Sequence, residues 1–150
     1  MQRERVSENV YWFQSEVYAQ VTAGAITSPQ WAIVIDTLAM PEETARRQNA
    51  AFRQVKLVYP HLTFESGILS LRVGKKNLIL MQTPGHSRDG ISILVEEDRV
   101  LFAGDAFLPL PYVVDGDLDV LSETIKQIGK MGLENIIQGH GDIILRGEID

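Results

Sequence analysis

The 150 residues carry a formal net charge of −6, with 45% hydrophobic side chains, 23% charged side chains and no cysteine, which fits one globular domain, residues 1–150, burying roughly 70% of its unfolded surface. An acidic balance without a basic stripe disfavours nucleic acid as the main partner, so none is expected, and the lack of cysteine excludes disulfides and thiolate ligands, so any metal must be held by nitrogen and oxygen. No apolar run approaches the roughly 20 residues that cross a bilayer, and Met1-Gln2-Arg3-Glu4-Arg5 leads into no signal-peptide core, so no membrane partner and a cytoplasmic location are expected.

Asn9–Phe13 and Val17–Val21 are rich in β-branched and aromatic residues, and the polar break Gln14-Ser15-Glu16 between them predicts a hairpin. Gly24–Pro29 reads as a turn. Trp31–Ile35 is a continuous apolar run, the pattern of a strand buried on both faces, and it ends at Asp36-Thr37. Pro41-Glu42-Glu43-Thr44-Ala45-Arg46-Arg47 then places proline at a first helical position, acids in the first turn and arginines one turn on, which predicts a helix start. The chain continues through Gln48–Phe52 into the strand-like Val55–Tyr59. His61 follows Pro60 in a loop, where a lone histidine is far more often solvated or hydrogen-bonded than a ligand.

Ile68–Val73 and Asn77–Met81 flank Gly74-Lys75-Lys76, a hairpin with a basic turn. Gly90–Val95 and Arg99–Phe102 flank Glu96-Glu97-Asp98, a second hairpin with an acidic tip. Phe107–Tyr112 is a proline-containing connection, either bordering a site mouth or packed on the core. Asp115-Gly116-Asp117 makes a turn and an N-cap, and Leu118, Leu121, Ile125 and Ile128 then follow at helical spacing. This amphipathic helix stops near Gly129 or Gly132. Leu133–Gln138 forms the last strand, and Asp142–Arg146 finishes the chain.

Three of these strands end in the same way. Thr83-Pro84-Gly85-His86-Ser87-Arg88-Asp89-Gly90, Ala103-Gly104-Asp105 and Gln138-Gly139-His140-Gly141 each hold an imidazole or carboxylate in a glycine-containing turn directly after an apolar run. Glycine permits the tight turn that aims such a side chain across the end of a sheet, and His and Asp suit zinc, iron or manganese. On residue types alone, these are either converging ligands or ordinary loop residues.

In this order and context the constellation resembles the metallo-β-lactamase superfamily, the fold of glyoxalase-II-like hydrolases and lactonases. The segments "TPGHS" and "VLFAGDAF" carry most of the resemblance, which runs from about Asn9 to the end of the chain. It implies an α+β, metallo-β-lactamase-like αββα sandwich. It also implies that His86, Asp105 and His140 match, in order, a histidine ligand of one metal, the bridging aspartate and a histidine ligand of the other, with Asp36 as a residue supporting the ligands from behind. For Asp36 the plain reading, an aspartate opening a turn, stands beside this one. The family's principal ligand cluster, His-x-His-x-Asp-His, is not among these residues, whose only other histidine is His61. The fold is therefore expected to be incomplete, missing an internal segment and the C-terminal helix.

In the complete family site the metal pair generates a hydroxide nucleophile and polarises a carbonyl or phosphoryl oxygen. The resemblance thus implies hydrolysis of a small-molecule ester, thioester, lactone or phosphodiester with a reduced metal site, its zinc, iron or manganese sub-stoichiometric or absent. Two alternatives are carried beside this reading: a non-catalytic scaffold or assembly module of the same fold, and a shortened form of a functional parent. A sheet face and edge left uncovered further predict a homo-oligomer, formed by exchange of elements or by simple docking.

Overall fold

A computed structural model describes residues 2–16, 20–36 and 65–149 of the chain. Ten strands and two helices are assigned among them. β1 (Gln2–Ser7), β2 (Val10–Gln14), β3 (Thr22–Thr27) and β4 (Ala32–Ile35) form a four-stranded antiparallel sheet in that order. β5 (Ile68–Val73), β6 (Lys76–Gln82), β7 (Ile91–Val95), β8 (Val100–Gly104), β9 (Asn135–Gln138) and β10 (Ile144–Leu145) form a six-stranded sheet ordered β10-β9-β8-β7-β6-β5. Helix α1 spans Leu118–Gly129, and a four-residue helix α2, Arg146–Ile149, follows β10. The predicted helix from Pro41, the strand Val55–Tyr59 and His61 lie outside the described residues.

The sheets pack face to face because each presents an apolar side to the other. Val10, Trp12 and Ile26 of the first sheet are buried against Leu78, Val95, Val100, Phe102 and Ile137 of the second. On the outer face of the six-stranded sheet, Leu101, Ala103 and Ile136 are buried with Ile128 of α1 and with Leu133. β8 thus carries apolar side chains on both faces, Val100 and Phe102 inward and Leu101 and Ala103 outward, which fits a central strand. The two sheets approach closely at Gly24, where a Cβ would lie 1.9 Å from Cε1 of Phe102.

Both predicted hairpins of the second sheet are present. Val73 pairs with Lys76 around Gly74-Lys75, and Val95 pairs with Val100 around Glu96–Arg99. The tips of the two hairpins are tied together by Lys76–Asp98, Arg72–Glu97 and Asn77–Glu96 contacts, and Arg99 and Arg146 both pair with Glu134 at the same end of the sheet. This charged end lies opposite the one at which β6 and β8 finish.

The first sheet departs from expectation in four places. Gly24–Pro29, read as a turn, is largely strand β3, and Gly24 is there to admit the Phe102 ring rather than to bend the chain. Trp31–Ile35, read as buried on both faces, contributes edge strand β4, with Val34 65% exposed. An apolar run does not reveal by itself which of its faces will be covered. β1 escapes sequence reading because Gln2-Arg3-Glu4-Arg5 has no apolar alternation; it is a charged edge strand, with Arg3 over the ring of Tyr11. The partner of β2 in the predicted hairpin is Thr22–Ile26 rather than the expected Val17–Val21. Gln14 pairs instead with Thr22, and residues 17–19 lie outside the description.

α1 begins where the turn chemistry places it. The Asp117 side chain accepts hydrogen bonds from the backbone N–H groups of Asp119 and Val120, and Lys130 closes the helix. Its buried stripe is Leu121, Thr124 and Ile128, whereas Leu118, expected on the apolar face, is 67% exposed. Thr124 faces inward because its hydroxyl donates to the Pro84 carbonyl at 2.7 Å, which ties the helix to the turn carrying His86.

Candidate metal centre

β6 and β8 run in the same direction with β7 between them, and β9 is parallel to β8. All three strands therefore end on one edge of the sheet. β6 leads through Thr83-Pro84-Gly85 to His86, β8 ends one residue before Asp105, and β9 ends two residues before His140. The pairing of Gly104 with Gln138 sets Asp105 and His140 side by side.

The three predicted side chains meet. His86 Nε2 lies 3.5 Å from Asp105 Oδ2, and His140 Nε2 lies 3.7 Å from Asp105 Oδ1. One carboxylate stands between two imidazoles and offers a different oxygen to each. The side chains are 12% exposed for His86, 29% for His140 and 39% for Asp105, so the cluster is reached from solvent on the carboxylate side.

Each member is held by backbone. The His86 ring meets the Tyr112 carbonyl through Nδ1 at 2.9 Å, and the Tyr112 ring stands edge-on to it at 5.0 Å. A carbonyl can only accept, so Nδ1 carries the proton in this contact and Nε2 is the ring nitrogen turned toward Asp105. Gly139 donates its N–H to the carbonyls of Gly104 and Phe107, and a Cβ on Gly139 would lie 1.9 Å from Asp105 Oδ1. His140 bridges to Val21, and its neighbour Gly141 donates to Gln20, so the turn into β3 braces this corner from the other sheet. Beneath the site, Thr83 and Ser92 share a buried hydroxyl contact at 2.8 Å, and Ser92 donates to the Ala103 carbonyl. That relay fastens the end of β6 to β7 and β8.

Asp36 occupies the end of β4 with φ of +61°, a backbone region aspartate tolerates better than most residues. It lines a cleft of about 230 Å³ with Thr22, Phe102, Gly104, Ile137 and Gly139, beside the two glycines that precede Asp105 and His140. In the connection Phe107–Tyr112 both expectations hold in part. Phe107 packs against the outer core, while Leu110 and Tyr112 are 82% and 54% exposed, Tyr112 beside His86. The Tyr112 carbonyl is the partner that sequence reading missed, since a backbone acceptor leaves no residue-type signal.

The arrangement suits a cation. Both N···O gaps exceed the roughly 3.2 Å of an N–H···O hydrogen bond. Two donors each about 2.1 Å from one ion, at a tetrahedral angle, lie roughly 3.4 Å apart, close to the spacing found on either side of Asp105. The donors are imidazole nitrogen and carboxylate oxygen, as zinc, iron and manganese accept. Among the described residues no three His, Asp or Glu side chains already form a ready-made ligand group, so these residues by themselves supply a nitrogen and an oxygen on each side of the carboxylate.

A sequence profile of the metallo-beta-lactamase superfamily matches residues 26–140, a span that contains all three side chains. The chain belongs to the metallo-β-lactamase superfamily. Solved metallo-β-lactamase structures carry the same fold. The metallo-beta-lactamase from Pontibacter korlensis superposes with a TM-score of 0.73 at 15% identity, covering 99% of this chain and 94% of that one. A metallo-beta-lactamase family protein from Thermus thermophilus gives a TM-score of 0.68 at 15% identity, covering 97% and 78%. At such identity the likeness shows the fold alone. Among sequence relatives, the beta-lactamase-like protein 2 homolog of Caenorhabditis elegans is 36% identical over 67 residues, 45% of this chain and 23% of that protein. Acyl-coenzyme A thioesterase MBLAC2 of Bos taurus is 30% identical over 94 residues, 58% of this chain and 33% of that protein. The matched stretches thus span about a quarter to a third of these relatives. The superfamily is generally metal-dependent, and the two packed sheets of this chain are the architecture of the family expected from its sequence. No described helix is long and apolar enough to cross a membrane.

Proposed function

We propose that this metallo-β-lactamase-like domain hydrolyses a small-molecule ester or thioester through a reduced metal centre in which zinc, iron or manganese would be held between Asp105 and His86 on one side of the carboxylate and between Asp105 and His140 on the other. The observation that carries the reading is the Asp105 carboxylate, each oxygen of which faces the Nε2 of a different histidine. The acyl class is taken from relatives named as thioesterases, including Thioesterase pkgB of Emericella nidulans, 36% identical over 63 residues; lactones and phosphodiesters are the next substrates to test.

When bound, the metal polarises a carbonyl or phosphoryl oxygen and makes a water nucleophilic near neutral pH. The protein's part is placement. Asp105 offers one oxygen to each side, the Tyr112 carbonyl holds the Nδ1 of His86 so that Nε2 faces Asp105, and Asp36 lies in the cleft behind the glycines that carry the other two. The exposed carboxylate face gives substrate its approach.

The test is metal content per chain, followed by turnover of thioester, ester, lactone and phosphodiester substrates before and after chelation. Chelator-sensitive turnover that Asp105→Ala abolishes is expected. Metal-free protein with no turnover under any loading would place the chain among non-catalytic scaffolds of the fold. We also propose that a second copy covers β4 and β5, the edge strands among the described residues, where Val34 and Ile68 are 65% and 71% exposed; light scattering should return a dimer, and a compact monomer would count against it.

A further inference from the structure

The hydrogen bonds around His86 converge from one direction. Beyond the Tyr112 carbonyl on its ring, the His86 carbonyl accepts the N–H of Val114 at 2.9 Å and of Asp115 at 3.3 Å, and the Gly85 carbonyl accepts the N–H of Asp117 at 2.9 Å. Ser87 forms an isolated bridge with Asp115. Residues 112–117 therefore grip both the ring and the main chain of the histidine turn. Helix α1 closes on the same turn, since a Cβ on Gly85 would lie 2.3 Å from the Cα of Leu121.

At the centre of this grip is Gly116. A Cβ built there would stand 1.9 Å from the Gly85 oxygen, 2.6 Å from the Gly85 carbonyl carbon and 3.0 Å from the carbonyl carbon of His86. The atoms it would meet are backbone, which cannot swing aside as a side-chain tip can. The need for glycine at this position is therefore one of space, imposed by how closely the two segments approach.

We infer that residues 112–117 form a positioning clamp for His86, with Gly116 the residue on which its closure depends. The clamp sets two properties at once: the turn's place relative to Asp105, and the Nδ1–H contact that turns Nε2 toward Asp105. The inference rests on the proposed metal role of His86 only for its consequence in affinity; the clamp itself is a property of the metal-free chain.

Nitrogen-15 NMR of the imidazoles in the metal-free wild-type protein reads the tautomer directly. His86 should appear in the Nδ1–H form. A predominant Nε2–H form would overturn the inference without recourse to any variant. In Gly116→Ala, the Nδ1–H signature of His86 should be lost or mixed while the His140 signals hold, and zinc affinity should fall about 10- to 100-fold, the range seen when the partner orienting a ligating imidazole is removed. Gly129→Ala is the matched control, because a Cβ there meets nothing within 4 Å; it should leave tautomer and affinity as they are. A Gly116→Ala protein that folds with both properties unchanged would overturn the clamp. Wild-type protein that shows the expected tautomer but binds no zinc would instead count against the proposed metal centre, leaving the clamp in place.

Discussion

Gly139 lies so close to Asp105 that a Cβ on it would stand 1.9 Å from Oδ1 and 3.0 Å from the aspartate's own backbone nitrogen. The carboxylate is thereby packed against bare main chain, and its orientation toward His140 depends on the absence of a side chain next door. Gly139→Ala should turn the carboxylate and separate β8 from β9 at their ends, costing about 1–3 kcal/mol of stability. A zinc titration alongside a denaturant melt would check this; the variant should bind zinc at least tenfold more weakly even where it is fully folded.

Zinc itself should stabilise the fold. A ligand at 100 times its Kd adds about 2.7 kcal/mol to a native state that alone binds it. For a domain of this size that is a rise of roughly 5–10 °C in Tm. Differential scanning fluorimetry with and without zinc should show it for the wild type and not for Asp105→Ala.

The hydroxyl relay under the site makes a coupled prediction. Ser92 is fully buried, with its oxygen shared between Thr83 and the Ala103 carbonyl. Ser92→Ala takes a hydrogen bond from both the Thr83 hydroxyl and the Ala103 carbonyl and should cost about 1–3 kcal/mol, as should Thr83→Val. The double variant should cost less than the sum by about 1 kcal/mol, since the shared bond is lost only once. Urea denaturation of the four proteins closes the cycle, and strict additivity would mean that the two hydroxyls do not interact.

Between the sheets, Gly24→Ala should drive a methyl group into the Phe102 ring and destabilise by about 1–3 kcal/mol. Phe102→Leu should relieve much of that loss, because the shorter side chain vacates the space the methyl needs. Thermal melts of both single variants and the pair would show whether the clash is what makes glycine necessary there.

At the start of α1, Asp117→Ala removes the acceptor for two helix N–H groups and should cost about 1 kcal/mol, while Asp117→Asn should be nearly neutral. Circular dichroism melts suffice to separate them.

What could be read from sequence was whatever residue type and local pattern encode. His86, Asp105 and His140 stood out because each follows an apolar strand and sits beside glycine, and the two hairpins of the second sheet announced themselves by alternating apolar runs around short polar turns. The failures have a common cause. Gly24 reads as a turn residue because its reason for being glycine lies in Phe102, 78 residues further on. β1 escapes notice because an edge strand covered by charge has no buried face to print a period on the chain. Leu118 falls on the buried face of α1 by spacing, yet the inward positions are Leu121, Thr124 and Ile128, set by the tie from Thr124 to Pro84. The grip of Tyr112 on His86 is made by a carbonyl, and any amino acid would have brought one.

The separation of the charged hairpin tips from the candidate centre has a practical consequence. Lys75, exposed in the turn of the first of these hairpins, is reached along β6 from the far end of the sheet, the full length of the strand away from His86. A fluorophore, spin label or surface tether attached there would orient the molecule with its Asp105 edge toward the bulk. The fold thus supplies its own handle for single-molecule or immobilised assays.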